Sequence, residues 1–321
     1  IVEWKRLLEV EKDAGWADEA RRHLEELERQ LRERGSNGGA FLDLAYEGKV
    51  LDLLVSSREE ARKLGAAMRA AHGDEWVAAA AAEAADSRPL QDAWRHVADG
   101  RPDDALAAAE QAVSVFVEAG ATAHASFADL IRIMALFRKL DYGPCAAGGA
   151  TLAEKAELYA FRWVEAQALS NAASCLQSSG DSGKAIAVYE VALEKSRAAR
   201  LEGLQLQIGA IYSTVRTRNG DPWSAWSENL RMLGEAYRTP FSLNRVQQTL
   251  ANCSYSAEAW GWRSAAAEFA AASADAAANP ATAAANRSRA ASLAARAGYE
   301  TLAGEQSELA DRYFSAMPES E

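Results

Sequence analysis

The chain of 321 residues has no apolar run approaching the length of a membrane span, because its alanine-rich stretches are broken by Glu, Asp, Ser or Arg. A membrane-spanning helix is therefore not expected. Basic charge is in short supply: 35 Lys and Arg stand against 46 Asp and Glu, for a formal net charge of -11. Such a chain has no electrostatic footprint for a nucleic-acid backbone, and no dense Lys/Arg block provides one locally. Cysteine is rare. Cys145, Cys175 and Cys253 lie far apart with no CxxC spacing, so no disulfide framework is expected, and a reducing, cytoplasmic compartment is. Alternating β-branched segments joined by Asn-Gly or Asp-Gly turns are also missing. What remains is a hydrophobic content of 49% and a charged content of 25%, the balance of a folded protein, with alanine the commonest residue. Alanine favours helix and permits close helix packing, and the class is all-α.

Catalytic motifs are equally scarce. None of His23, His72, His96 and His124 pairs with another ligand at helical spacing, which argues against a zinc site. There is no Gly-rich phosphate loop and no GxSxG elbow. Asp103-Asp104 follows Pro102, where acids favour the start of a helix, and is read as such. Cys145 and Cys253 fall in small-residue packing positions, and Cys175 has no histidine near it in sequence. The sequons at Asn252 and Asn286 lie in predicted helices. No metal, no cofactor and no enzymatic activity are expected.

What the sequence does have is a repeated phrase. It is clearest from Ser179 to Leu193, where Gly180 ends one helix, Asp181 caps the next, and Ala185, Tyr189 and Ala192 share a face. Gly100 leads in the same way to Ala105, Leu140 to Cys145, Gly220 to Ala225 and Trp260 to Ala265, a spacing of forty residues. Gly15 with Ala20, Ser56 with Ala61 and Gly298 with Ala303 extend the set to eight candidate hairpins, the outer ones less regular. Glycine tolerates the left-handed conformation that closes a helix. Asp141, Asp181 and Asp221 can accept from the first N–H groups of the next helix. Pro102 and Pro222 sit where a missing N–H costs nothing. Seven residues before the turn a small residue recurs, at Ala93, Ala173, Ser213, Cys253 and Ala291.

This pattern resembles the tetratricopeptide repeat family over nearly the whole chain, best from Ala168 to Leu193 and again at Trp4, Leu7, Gly15, Ala20 and Leu24. The period of forty exceeds the usual 34 residues, as in the long-helix subclass, and the closing proline is mostly missing. HEAT-type repeats share the length, but the Gly-Asp turn followed by alanine fits tetratricopeptide repeats better. The resemblance implies a right-handed superhelical solenoid of antiparallel hairpins, its concave groove lined by the first helix of each pair. Residues 1–34 are expected to form one hairpin, 40–86 an irregular hairpin plus an alanine-rich helix from Glu75 to Ala85, and 87–316 the regular array. Arg34 to Gly39 is expected to be a flexible joint, and Met317 to Glu321 a frayed tail.

The groove is the expected place of function. Gln167, Ser170, Asn171, Ser174 and Gln177 share one helix face, followed by Gln207, Thr214 and Arg218, then by Gln247 and Ser254. Amides and hydroxyls of this kind can satisfy a peptide backbone, although a polar helix face in water needs no partner. Phe127, Leu130, Ile131, Met134 and Phe137, with Trp94, form an apolar stripe that is expected to be core. Of the four tryptophans at two adjacent turns, Trp226 and Trp262 are assigned to packing, and Trp223 and Trp260 to partner contact. The family's carboxylate clamp is matched only at Asn171. The expected function is a protein-interaction scaffold that binds a peptide segment or a partner helix. The alternatives are a docking region cut from a larger bacterial signalling protein (a CHAT-type peptidase or a transcription regulator) with a flanking effector domain, and a self-assembling array. A start at Ile1 with no leader pattern reads as a piece of a longer protein.

Overall fold

The computed structural model describes residues 49–238, 243–277 and 279–315. The first expected hairpin, the joint at Arg34 to Gly39 and the tail from Met317 lie outside them. The described residues contain helices and no strand. None of these helices is long and apolar enough to cross a membrane.

Helices α1 (Lys49–Ser56) and α2 (Arg58–His72) make the first described pair, followed by the short α3 (Trp76–Ala82), which is shorter than the span expected from sequence. Six hairpins follow: α4 (Arg88–Ala98) with α5 (Pro102–Glu118), α6 (Thr122–Arg138) with α7 (Tyr142–Leu158), α8 (Arg162–Ser178) with α9 (Ser182–Ala198), α10 (Glu202–Arg218) with α11 (Pro222–Arg238), α12 (Leu243–Ala259) with α13 (Arg263–Asp275), and α14 (Pro280–Ala297) with α15 (Glu300–Ser315). From α4 to α12 each first helix also packs on the first helix of the next hairpin. The architecture is an all-α solenoid of antiparallel helical hairpins.

Helices α5 to α12 each contain 17 residues. Up to α11 a three-residue turn separates one from the next, which gives the half-period of twenty. The turns close by one mechanism. At Gly180 (φ 92°) the chain enters the left-handed region, and the N–H groups of Gly180 and Asp181 return to the carbonyls of Gln177 and Leu176 at 3.1 and 2.9 Å. Leu140, Ala160 and Arg200 occupy the same position in other turns with φ of 64°, 54° and 54°. There Cβ crowds the following carbonyl, and the fold tolerates the cost because the turn is fixed by its neighbours. The Asp181 and Asp221 side chains accept from the N–H groups of Lys184 and Ser224, as expected, whereas Asp141 makes no such bond.

The small residues sit where the spacing placed them. Ala105, Cys145, Ala185 and Ala225 are each 0% exposed. The fifth hairpin departs by one residue. Its left-handed turn residue is Gly261 (φ 77°), not Trp260, because α12 begins 21 residues after α11 where the helices from α5 to α11 begin 20 apart. The buried positions accordingly move to Ala266 and Ala270, while Ala265 and Phe269 are half-buried. Ser254 takes the small slot assigned to Cys253, whose own thiol is also buried and is pushed up to about 12 by burial.

One expectation is overturned. Cys145 and Cys175 are joined by a disulfide between α7 and α8, their Cα atoms 6.1 Å apart. Both lie fifteen residues from Ala160, the turn residue, so antiparallel helices set them face to face. The close approach is supported nearby at Gly149, where a Cβ would stand 2.8 Å from the carbonyl oxygen of Ala168.

Two results follow. Arg200→Gly relieves a left-handed residue at the expense of a more flexible unfolded chain, and should raise stability by up to about 1 kcal/mol; an unchanged or lowered denaturation midpoint would count against strain at the turn. Cys175→Ala should lower stability by about 2–4 kcal/mol, and peptide mapping without reductant should recover the two cysteine peptides as one species. Recovery as separate thiol peptides would remove the disulfide.

Candidate interaction groove

The candidate groove runs along the first helices, and their N-termini pose a local problem. Helices α6 and α8 are preceded by Ala121 and Phe161, side chains that cannot accept a hydrogen bond. Their orphan N–H groups are satisfied from a distance. The Glu83 carboxylate accepts from the N–H groups of Ala123 (2.7 Å) and His124 (3.2 Å), and Asp74 Oδ2 accepts from that of Trp163 (3.0 Å). The segment from His72 to Glu83 runs across three successive inter-hairpin turns. His72 Nδ1 reaches the carbonyl of Ala199 (3.2 Å), Glu75 N–H donates to Ala160 (3.1 Å), and Trp76 Nε1–H donates to Ala123 (3.1 Å).

The Trp76 indole fills the apolar end of the groove. It stacks on Phe127 with centroids 4.7 Å apart and on Trp163 at 5.7 Å, while Trp94 tilts against Phe127 at 6.0 Å. Trp76 and Phe127 are both 1% exposed. The stripe expected to be core is core at Phe127, Leu130 and Ile131; Met134 is half-buried and Phe137 is exposed. Forty residues after Phe127 stands Gln167, and forty after that Gln207, so one groove position changes from apolar and covered to polar.

Beyond the covered end a recess of about 330 Å³ opens between α10 and α12. Ser213, Thr214, Thr217 and Arg218 line it from α10; Asn252, Tyr255 and Ser256 line it from α12. Thr214 and Thr217 donate to the carbonyls of Ala210 and Ser213, and Asn252 Nδ2–H donates to Ala210. Arg289 lies over the exposed Tyr255 ring, 3.9 Å from its centroid.

Of the residues expected to meet a partner, Thr214 and Arg218 lie in this recess, and Gln207 is half-buried on the same helix. The others are differently placed. Gln167 and Ser170 are buried, and Gln167 Nε2–H donates to Asn171 Oδ1 at 3.3 Å. Asn171 and Gln177 are half-buried. Ser174 bonds Tyr189 OH at 2.8 Å on α9. Gln247 turns to Ser273 on α13 (3.1 Å), and Ser254 is 0% exposed and donates to the carbonyl of Ala266 at 2.7 Å. The last two are displaced by the one-residue change of register: Gln248 and Tyr255 take the positions of Gln207 and Thr214. Tyr255 and Asn252 are thus the groove residues that a strict period of forty misses.

The tryptophans cluster around the turns that follow α10 and α12. Trp223 and Trp260 meet edge to face at 6.0 Å and are both exposed. Trp226 packs against Trp262 and Phe269, as assigned, but Trp262 remains 44% exposed and stacks on Trp260.

Ser87, His124 and Glu83 stand in line: Ser87 Oγ is 2.8 Å from His124 Nε2, and His124 Nδ1 is 2.5 Å from Glu83 Oε2. Burial acts to raise the Glu83 carboxyl, but the bonds from His124 and from the N–H groups of Ala123 and His124 outweigh it and hold the group below its usual range. The ionised carboxylate accepts the Nδ1 proton, and Nε2 bonds the serine hydroxyl. These are the distances of a nucleophilic triad, yet Ser87 is 5% and His124 1% exposed, and the recess does not reach them. Their role here is to fasten α3 and α4 to the start of α6. Among the described residues no cluster of His, Cys, Asp or Glu could hold a metal ion.

Asp74 is wholly buried, and burial pushes its carboxyl up to about 6, against the N–H groups of Trp76 and Trp163 and the nearby His72, with Glu75 adding to the rise. The folded state therefore holds this proton more tightly than an unfolded chain titrating near 3.8. This contribution to stability is present at low pH and is lost as pH rises through about 6. Thermal midpoints of the native chain and of Asp74→Asn, compared at about pH 7 and about pH 4.5, should shift in favour of the native chain on acidification. An unchanged difference would refute the raised carboxyl.

No protein-family model matches the chain, and no curated protein matches it. Among solved structures it is similar to BtubC (BKLC) from P. vanneervenii, with 14% identity, a TM-score of 0.60, and coverage of 68% of this chain and 93% of that one. It is also similar to the apo form of RapI, with 13% identity, a TM-score of 0.50, and coverage of 81% and 94%. At these identities the likeness is one of fold: the chain shares an all-helical repeat architecture with both.

Proposed function

We propose that the chain is a protein-interaction scaffold of the tetratricopeptide-repeat type, long-helix subclass, that binds a peptide segment or a partner helix along its first helices. The observation that carries this reading is the change in character along one groove. Its apolar end is already occupied by Trp76, whereas between α10 and α12 it opens into the recess that holds Thr214, Arg218, Asn252 and Tyr255. Hydroxyl, amide and guanidinium groups in a concave setting suit a polypeptide main chain with polar side chains. The turn glycines, the small residue five positions later and the stacking of first helices on one another support the repeat type.

A photo-crosslinking residue at Thr214 tests the reading when paired with the same residue at Val191, which is exposed on α9. Irradiation in a lysate of the source cells should yield a discrete protein adduct through position 214 and none through 191. Equal labelling at both, or none at either, would place function elsewhere.

A further inference from the structure

Arg218 stands exposed in the last turn of α10, at the recess, and no ion pair or hydrogen bond among the described residues holds its side chain. Its neighbours are engaged. Arg216 is bound by Glu190 and Asp221, Arg197 and Arg231 share Glu228, and Arg289 and Arg296 share Glu258. A helix C-terminus favours a cation, which explains the residue's tolerance there but not its surroundings. In a chain with a net charge of -11, the recess has no carboxylate in its wall.

The remaining groups have a polarity of their own. Thr214 and Thr217 donate to carbonyls of their own helix at 3.0 and 2.9 Å, which leaves their oxygens as acceptors, that of Thr217 also meeting Ser256 Oγ at 3.5 Å. Asn252 spends an amide proton on Ala210 at 2.9 Å, which leaves its carbonyl oxygen. The wall thus offers hydrogen-bond acceptors, and Arg218 is the one cation among the residues that line it. A volume of about 330 Å³ is at the small end of ligand sites and suits a side chain with its adjoining main chain.

We infer that the recess binds an acidic side chain of an extended peptide segment. Arg218 takes the carboxylate, and the oxygens of Thr214, Thr217 and Asn252 accept main-chain N–H groups. A guanidinium–carboxylate pair is stronger than a neutral hydrogen bond and selects for charge. This rests on the groove being a peptide site, as proposed above.

The test is selection from a displayed library of random heptapeptides on the immobilised full chain, with Arg218→Gln, Arg218→Glu and the pair Asn171→Ala/Gln207→Ala in parallel, each checked for native helicity. Native protein should enrich sequences bearing Asp or Glu at a fixed position. A synthetic winner should lose about tenfold to a hundredfold in affinity on Arg218→Gln, and should weaken with added salt. Arg218→Glu should instead enrich Lys or Arg at that position. Enriched peptides without an acid, or with an acid indifferent to Arg218→Gln, would overturn this inference. If those same peptides are lost on the Asn171/Gln207 pair, the groove reading survives alone. No enrichment on the native chain would overturn both.

Discussion

The reversal of the chain every twenty residues by a single left-handed residue is the constraint on which everything else hangs. It fixes α5 to α12 at a common length of 17 residues, and a common length lets first helices lie against first helices and each second helix against the first helix of the next hairpin. The same reversal places residues equidistant from a turn opposite each other, so packing is written as symmetry about the turn: Cys145 meets Cys175 across Ala160. Glycine is the cheapest occupant of that position, and the fold accepts Leu140, Ala160 and Arg200 because length matters more than the local conformational cost.

The segment from His72 to Ser87 modifies this regular object. A repeat unit whose first helix starts behind alanine or phenylalanine leaves N–H groups unmet. Asp74 and Glu83 meet them from outside, and the indole between them closes the apolar end of the groove. The position that would be a contact site in a plain array is thereby converted to core, and the open part of the groove is moved toward α10 and α12. Shape and electrostatics change together at that point, since the covered end is aromatic and the open end carries hydroxyls, an amide and an arginine.

Much of the fold was legible in sequence because its signals are local. Gly180, Asp181 and Ala185 each do a job decided within a few residues of themselves. The register of the fifth hairpin was not legible, because one added residue between Pro222 and Leu243 changes no composition yet shifts every later assignment. That single step turned Ser254 and Gln247 from groove residues into hairpin contacts and hid Tyr255. Ser174 misled for a different reason: a hydroxyl on a helix face can turn to a neighbouring helix as easily as to solvent. The roles of Asp74, Trp76 and Glu83 depend on partners as many as 89 residues away, and no pattern within the segment announces them.

That separation bears on how the chain is made. Solenoids owe their ease of folding to contacts that reach only the next repeat, so that each unit can form as it leaves the ribosome. The segment from His72 to Ser87 departs from that economy. Trp76 finds the carbonyl of Ala123 only 47 residues later, Asp74 meets Trp163 after 89, and His72 reaches Ala199 after 127. An indole emerges early in synthesis and stays without its final place until the hairpins through α8 exist. The array is thus read out from one end but locked from the other, and a segment made early is among the last to be completed.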